Sequence, residues 1–117
     1  MEKTKIFISS TMNDMIEERM AIVDAIGKNR SLEAIYAEEF NACNESPRAV
    51  CLEEVKNSHM YIGIFKNRYG YIPEKNNKQG LSVVHLEYCE AKKYNLPIFI
   101  FVNKKDENRE EKLKEFL

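Results

Sequence analysis

Three stretches of the chain are almost continuously apolar, Lys5-Ile6-Phe7-Ile8, Met60-Tyr61-Ile62-Gly63-Ile64-Phe65 and Ile98-Phe99-Ile100-Phe101-Val102, and a fourth, interrupted by Glu33, runs from Leu32 to Ala37. Adjacent apolar residues, partly β-branched, predict strands buried on both faces, as when helices cover both sides of a sheet. Between them the pattern changes to a helical period. Asn13 to about Lys28 places Met15, Ile16, Ile22, Val23 and Ile26 on one face, with Thr11 or Asn13 as cap and Gly27 or Asn29 at the position where a left-handed residue ends a helix. Ser46-Pro47 is a helix start, because serine caps open amides and proline at the first position loses no hydrogen bond. Val50, Cys51, Leu52 and Val55 follow as its buried face. Ser82 caps a third helix running to Tyr94, stopped by Asn95 and Pro97, and the charged stretch from Asn103 to Leu117 begins a fourth.

Strands alternating with helices predict parallel β-α-β units joined by right-handed crossovers. The fold class is therefore a single three-layer α/β domain: a parallel sheet of strand order 2-1-3-4 with helices on both faces. The order reverses between the first and third strands. In open α/β sheets ligands bind beyond the carboxyl ends of the strands at such a reversal. Three polar groups converge there: the Ser9-Ser10-Thr11 turn, the Arg68-Tyr69-Gly70 loop and the first turns of the Ser82 helix, which carries Glu87. Ser9, Ser10, Thr11, Arg68, Tyr69 and Glu87 are expected to line one cavity. The connection from Lys66 to Leu81 is long and punctuated by Gly70, Pro73 and Gly80, a length more often functional than idle. Flavodoxin-like sheets usually add a fifth strand, so residues 1–103 are expected to form the α/β domain, and 104–117 a charged terminal helix or the start of a linker to a further module.

Composition narrows the function classes. With 44% hydrophobic and 32% charged residues the chain is an ordinary globular domain. Eighteen basic against nineteen acidic residues leave a charge of −1, so no global field draws nucleic acid or an anionic membrane. No apolar run reaches the roughly 20 residues of a membrane helix. Met1-Glu2-Lys3-Thr4 leads straight into the first strand without a signal-peptide core, so a cytoplasmic location is expected. Cys43, Cys51 and Cys89 are odd in number and lack a CxxC spacing, so reduced, packed cysteines are expected. His59 and His85 have no partner at ligand spacing, so neither a metal nor any other cofactor is implied. No nucleophile-elbow motif accompanies the serines. Asp14, Glu18 and Arg19 read as helix-surface pairs, with Arg19 alternatively turned toward the crevice. Tyr61, Tyr88 and Tyr94 read as filling helix–sheet contacts.

The run Lys5-Ile6-Phe7-Ile8-Ser9-Ser10-Thr11, followed by Asp14 and Glu17-Glu18-Arg19, resembles the opening of the family catalogued as domain of unknown function 4062. Cys51-Leu52-Glu53-Glu54-Val55, Arg68-Tyr69-Gly70-Tyr71-Ile72-Pro73 and Ser82-Val83-Val84-His85-Leu86-Glu87-Tyr88 match it in order and spacing, over roughly residues 5 to 102. The resemblance implies a fold similar to Toll/interleukin-1 receptor (TIR) domains and nucleoside 2-deoxyribosyltransferases. It also implies a place ahead of nucleotide-driven ATPases or other modules in larger, defence-associated signalling proteins. Active relatives of that kind handle N-glycosidic bonds with a helix glutamate that meets the ribose, and Glu87 is the matching position. Cleaving a ribosyl bond builds oxocarbenium character that a carboxylate stabilises or attacks. A phosphate or ribose hydroxyl fits the Ser9 to Thr11 turn. Arg68 fits a phosphate, and Tyr69 or Tyr71 a base. The chain has Val84-His85-Leu86 where TIR domains carry a Trp-Cys context, and no tryptophan. The expected function is thus a signalling, sensing or interaction module that binds a nucleotide-like ligand, its own copies or a partner protein. The alternative is an enzyme acting on NAD or a nucleoside through Glu87.

Overall fold

The computed structural model of the chain describes residues 3–11, 15–36, 47–66, 69, 72, 79–102 and 110–117, and side chains in all of these except 47–51. Its elements in order are β1 (Thr4–Ser10), α1 (Ile16–Gly27), β2 (Leu32–Ile35), α2 (Pro47–Lys56), β3 (Met60–Phe65), α3 (Val83–Lys93), β4 (Ile98–Val102) and α4 (Glu111–Phe116). All three strand pairings are parallel and the order is β2-β1-β3-β4, as the alternation of patterns predicts.

The period of two along β1 divides the core into two layers. Ile6 and Ile8 pack with Ala34 and with Ile22, Val23 and Ile26 of α1 on one face. Phe7 packs on the other with Ile35, Tyr61, Val55 of α2 and Ala91 of α3. Burying a side chain of this size stabilises by about 1.5–3 kcal/mol, so the two faces together define the three layers. The strand starts are tied by local bonds as well: exposed His59 accepts the Lys5 N–H through Nδ1 at 2.9 Å, while its own N–H reaches the Lys5 carbonyl at 2.8 Å.

Three expectations about elements are corrected. Helix α1 begins later than Asn13, at Ile16, with Met15 as its N-cap residue and no side-chain cap. Its end uses no left-handed residue: Gly27 is still helical, Lys28 is right-handed, and Asn29 Oδ1 accepts the Ser31 N–H at 2.9 Å. The fourth strand is not buried. Phe99, Ile100, Phe101 and Val102 are exposed, Phe101 by 59%, and among the described residues β4 is an edge strand paired with β3 alone.

Helix α3 forms where its capping signals place it. Ser82 Oγ accepts the His85 N–H at 3.1 Å, and Asn95, just past the end, takes the left-handed conformation with φ 58°. Helix α4 packs on the same side of the molecule as α3: Leu113 is fully buried among Phe65, Tyr69 and Val84.

Candidate functional site

The carboxyl end of β1 is held from both faces of the sheet. Ser9 points to the α3 side, where its hydroxyl donates to Glu87 Oε1 at 2.7 Å. Ser10, one residue on, points to the α1 side, where its oxygen accepts from Arg19 Nη1 at 2.8 Å; the same nitrogen donates to the Thr11 carbonyl at 3.0 Å. Ser9, Ser10, Thr11, Arg19 and Glu87 are all buried. One strand end is therefore flanked by a buried carboxyl group and a buried guanidinium on opposite faces, where the strand order reverses.

Each helix delivers its charged group from an apolar stripe. In α3, Val84, Glu87 and Ala91 are the buried positions, spaced three and four apart. In α1, Arg19 shares a face with Ile22, Val23 and Ile26. Arg19 is 1% exposed, which corrects the reading of it as a surface pair and selects the inward alternative. The stripe could have revealed it, because a surface arginine does not sit three, four and seven residues from core positions.

Tyr61 brings a further hydroxyl to the same place. Its ring is fully buried, stacked on Phe7 and edge-on to Tyr88, while its hydroxyl has no hydrogen-bond partner among the described residues. Burial, and then the neighbouring Glu87 carboxylate, push the phenol far above its ordinary range, with the Ser9 side chain acting in the opposite direction. The sequence reading of Tyr61 as a packing residue holds for the ring and misses the hydroxyl.

Tyr69 sits in a neighbouring cluster. Its hydroxyl meets His85 Nδ1 at 2.6 Å, and Phe116 of α4 stacks on the His85 ring at 4.1 Å between centroids. Burial pushes the His85 pKa down, and the tautomer of its ring sets which of the two groups donates. A cavity of about 230 Å³ beside this cluster is lined by Tyr69, Gly80, His85, Lys112 and Phe116, among others, and by none of Ser9, Ser10, Thr11 or Glu87. The structure thus bonds Ser9 to Glu87 on one face of the strand end and Ser10 and Thr11 to Arg19 on the other, and it bonds Tyr69 to His85, two residues before Glu87 along α3. Arg68 and Tyr71 lie outside the described residues. Cys89 is exposed and Tyr94 is 38% exposed, so neither packs as expected. Cys43 also lies outside the described residues, as does the Cys51 side chain.

Among the described residues no group of three or more histidine, cysteine, aspartate or glutamate side chains could hold a metal ion, and no helix is long and apolar enough to cross a membrane.

The model of one family, Domain of unknown function (DUF4062), matches residues 5–116. The chain belongs to the DUF4062 family. The match takes in Leu113 and Phe116, whose packing on the Tyr69 cluster ties α4 to the sheet. Among curated proteins the DUF4062 chain is similar to telomerase protein component 1 of Mus musculus, 37% identical over 83 aligned positions that cover 59% of this chain and 3% of the relative. The chain thus spans a small fraction of the length of that relative.

Proposed function

We propose that this DUF4062 domain is a signalling or interaction module of a larger protein, with a site for a nucleotide-like ligand at the carboxyl edge of its sheet. The observation that carries the reading is the buried Ser9–Glu87 bond at the reversal of strand order. A buried carboxyl group costs stability unless it is well bonded, and here one lies at the edge where open α/β sheets take their ligands. Glu87 suits a ribose hydroxyl, which donates to a carboxylate. The Ser9 to Thr11 turn and Arg68 suit phosphate oxygens, and Tyr69 borders the same edge. The module reading is supported by the small share of the mouse relative that the chain covers, and by that relative's name, which marks it as a component of an assembly.

A second reading uses the same geometry. A buried carboxyl group that accepts a serine hydroxyl fits the stabiliser or nucleophile of N-glycosidic bond cleavage, which would make the domain an enzyme on NAD or a nucleoside. Calorimetric binding and turnover assays with NAD and a nucleoside panel, repeated with Glu87→Gln and Glu87→Ala, separate the two. The module binds without turnover and loses binding in Glu87→Ala. Turnover that disappears in both variants establishes the enzyme instead. No binding by the intact domain contradicts both.

A further inference from the structure

Strand β4 is an open edge of the sheet. Among the described residues nothing pairs with its outer side, and Phe99, Ile100, Phe101 and Val102 keep between 37% and 59% of their surface exposed. Such an edge is a template for another strand, and proteins commonly blunt it with charge, proline or a bulge. Here none of the three guards it. From Asn95 to Val102 no side chain is charged, and the register from Tyr61↔Ile98 to Phe65↔Val102 runs without interruption. Pro97 is turned away from the edge: its carbonyl accepts the Tyr61 N–H at 2.9 Å, so it faces β3. Backbone groups along a strand alternate between its two sides, so Phe99 and Phe101 bond to β3 as Pro97 does, and the N–H and C=O groups of Ile98, Ile100 and Val102 point outward. Side chains alternate as well. Ile98 packs on the Phe7 and Tyr61 cluster, and Ile100 lies over Gly63, where a Cβ would be 3.2 Å from its Cδ1. The aliphatic residues of β4 therefore occupy the α3 face and the two phenylalanines the α1 face. The alternation of aliphatic and aromatic residues is symmetric about Ile100.

We propose that β4 is a dimerisation edge whose partner is β4 of a second copy, antiparallel across a two-fold axis at Ile100, so that two sheets become one continuous sheet. A two-fold axis makes such a contact isologous, with each copy presenting the same residues. In this register each Ile100 opposes its own copy, and each Ile98 opposes Val102 of the other chain. These are the outward-pointing residues, so each opposed pair exchanges both backbone bonds. Phe99 opposes Phe101 in the intervening pairs, where Cα atoms approach to about 4.5 Å and side chains meet most closely. The exposed rings of the α1 face then cover one another. No like charges face each other anywhere along the strand. A strand of unrelated sequence has no such symmetry to match, so the pattern selects a second copy as the occupant. Paired five-residue strands make a small contact, at the end of the scale below about 1,200 Å² where association is transient. The inference names a partner for the module proposed above and uses none of Ser9, Ser10, Thr11 or Glu87, so either can fail without the other.

The test is sedimentation equilibrium of the domain from roughly 10 µM to 1 mM, a range suited to a small, transient interface, with amide hydrogen exchange read at both ends of that range. The apparent mass should rise reversibly and stop at that of a dimer. As the concentration rises, exchange at Ile98, Ile100 and Val102 should slow by about tenfold or more, while Phe99 and Phe101, already bonded to β3, should not change. Phe101→Lys and Phe99→Glu each put a charge into the aromatic pairs and should each weaken the dimer by about tenfold or more. Both side chains are largely exposed, so the fold is retained. Mixed in equal amounts, the two variants should associate with each other, because the introduced charges are opposite in sign and face each other in this register. A monomer at every concentration overturns the proposal, as does growth beyond the dimer. Protection of the outer amides that is independent of concentration also overturns it, since the chain would then cover its own edge. Failure of the mixed variants to associate overturns the register centred on Ile100.

Discussion

Arg19 illustrates what a single residue contributes to this edge. Its guanidinium is fully buried, and Ser10 Oγ is one of its acceptors. Ser10→Ala removes that acceptor without changing the backbone and should destabilise the domain by about 1–3 kcal/mol in urea unfolding. An unchanged midpoint would mean that the bond contributes nothing net. His85 makes a pH prediction with a definite sign. Burial lowers its folded pKa below the ordinary 6.5, so the unfolded chain binds more protons in the interval between the two values. Its contribution to stability is complete above about pH 6.5 and is lost as the pH falls below it, toward the folded value. His85→Gln should flatten that part of the stability profile, and an unaltered slope would show that another group is responsible. Glu87 and the serines were legible because a family motif and a strand end point to them. Arg19 was legible only through its spacing from the apolar residues of α1, and the Tyr61 hydroxyl was not legible, because a hydroxyl within an apolar strand declares its surroundings only when the opposing residues are known.

At the scale of elements, helices were read more accurately than the sheet edge. The Ser82 cap and the left-handed Asn95 are local chemistry, and both ends of α3 fall where those residues put them. The start of α1 differs because its cap residue is Met15, which supplies no side-chain bond. Strand β4 is the informative failure. Its run of five apolar residues reads as buried, yet whether a strand is covered depends on neighbours that its own sequence does not encode. The energetic consequence is measurable. Phe101→Ser should change stability by less than about 0.5 kcal/mol because the side chain is 59% exposed. Phe7→Ala, at the buried centre of the sheet, should cost about 3–5 kcal/mol. Equal costs in thermal or urea unfolding would contradict the exposure of β4.

For the molecule as a whole, topology followed from general rules: parallel pairing and right-handed crossovers leave few ways to arrange four strands and the helices between them. The same rules placed Ser9 and Glu87 at one edge although they are 78 residues apart in the chain. They did not place Tyr69, whose hydroxyl is taken by His85 and whose ring is packed by Phe116 from α4, an interaction between the middle and the end of the chain. The site is thus a bonded strand end with an aromatic cluster beside it. The most direct measurement of whether that edge is a ligand site is a titration of the isotopically labelled domain with NAD and with nucleosides, followed by amide chemical shifts. The account predicts saturable shifts concentrated at Ser9 to Thr11, the end of β3 and the first turns of α3, and their loss in Glu87→Ala. Shifts confined to β4 or α1's outer face, or none at any concentration, would contradict it.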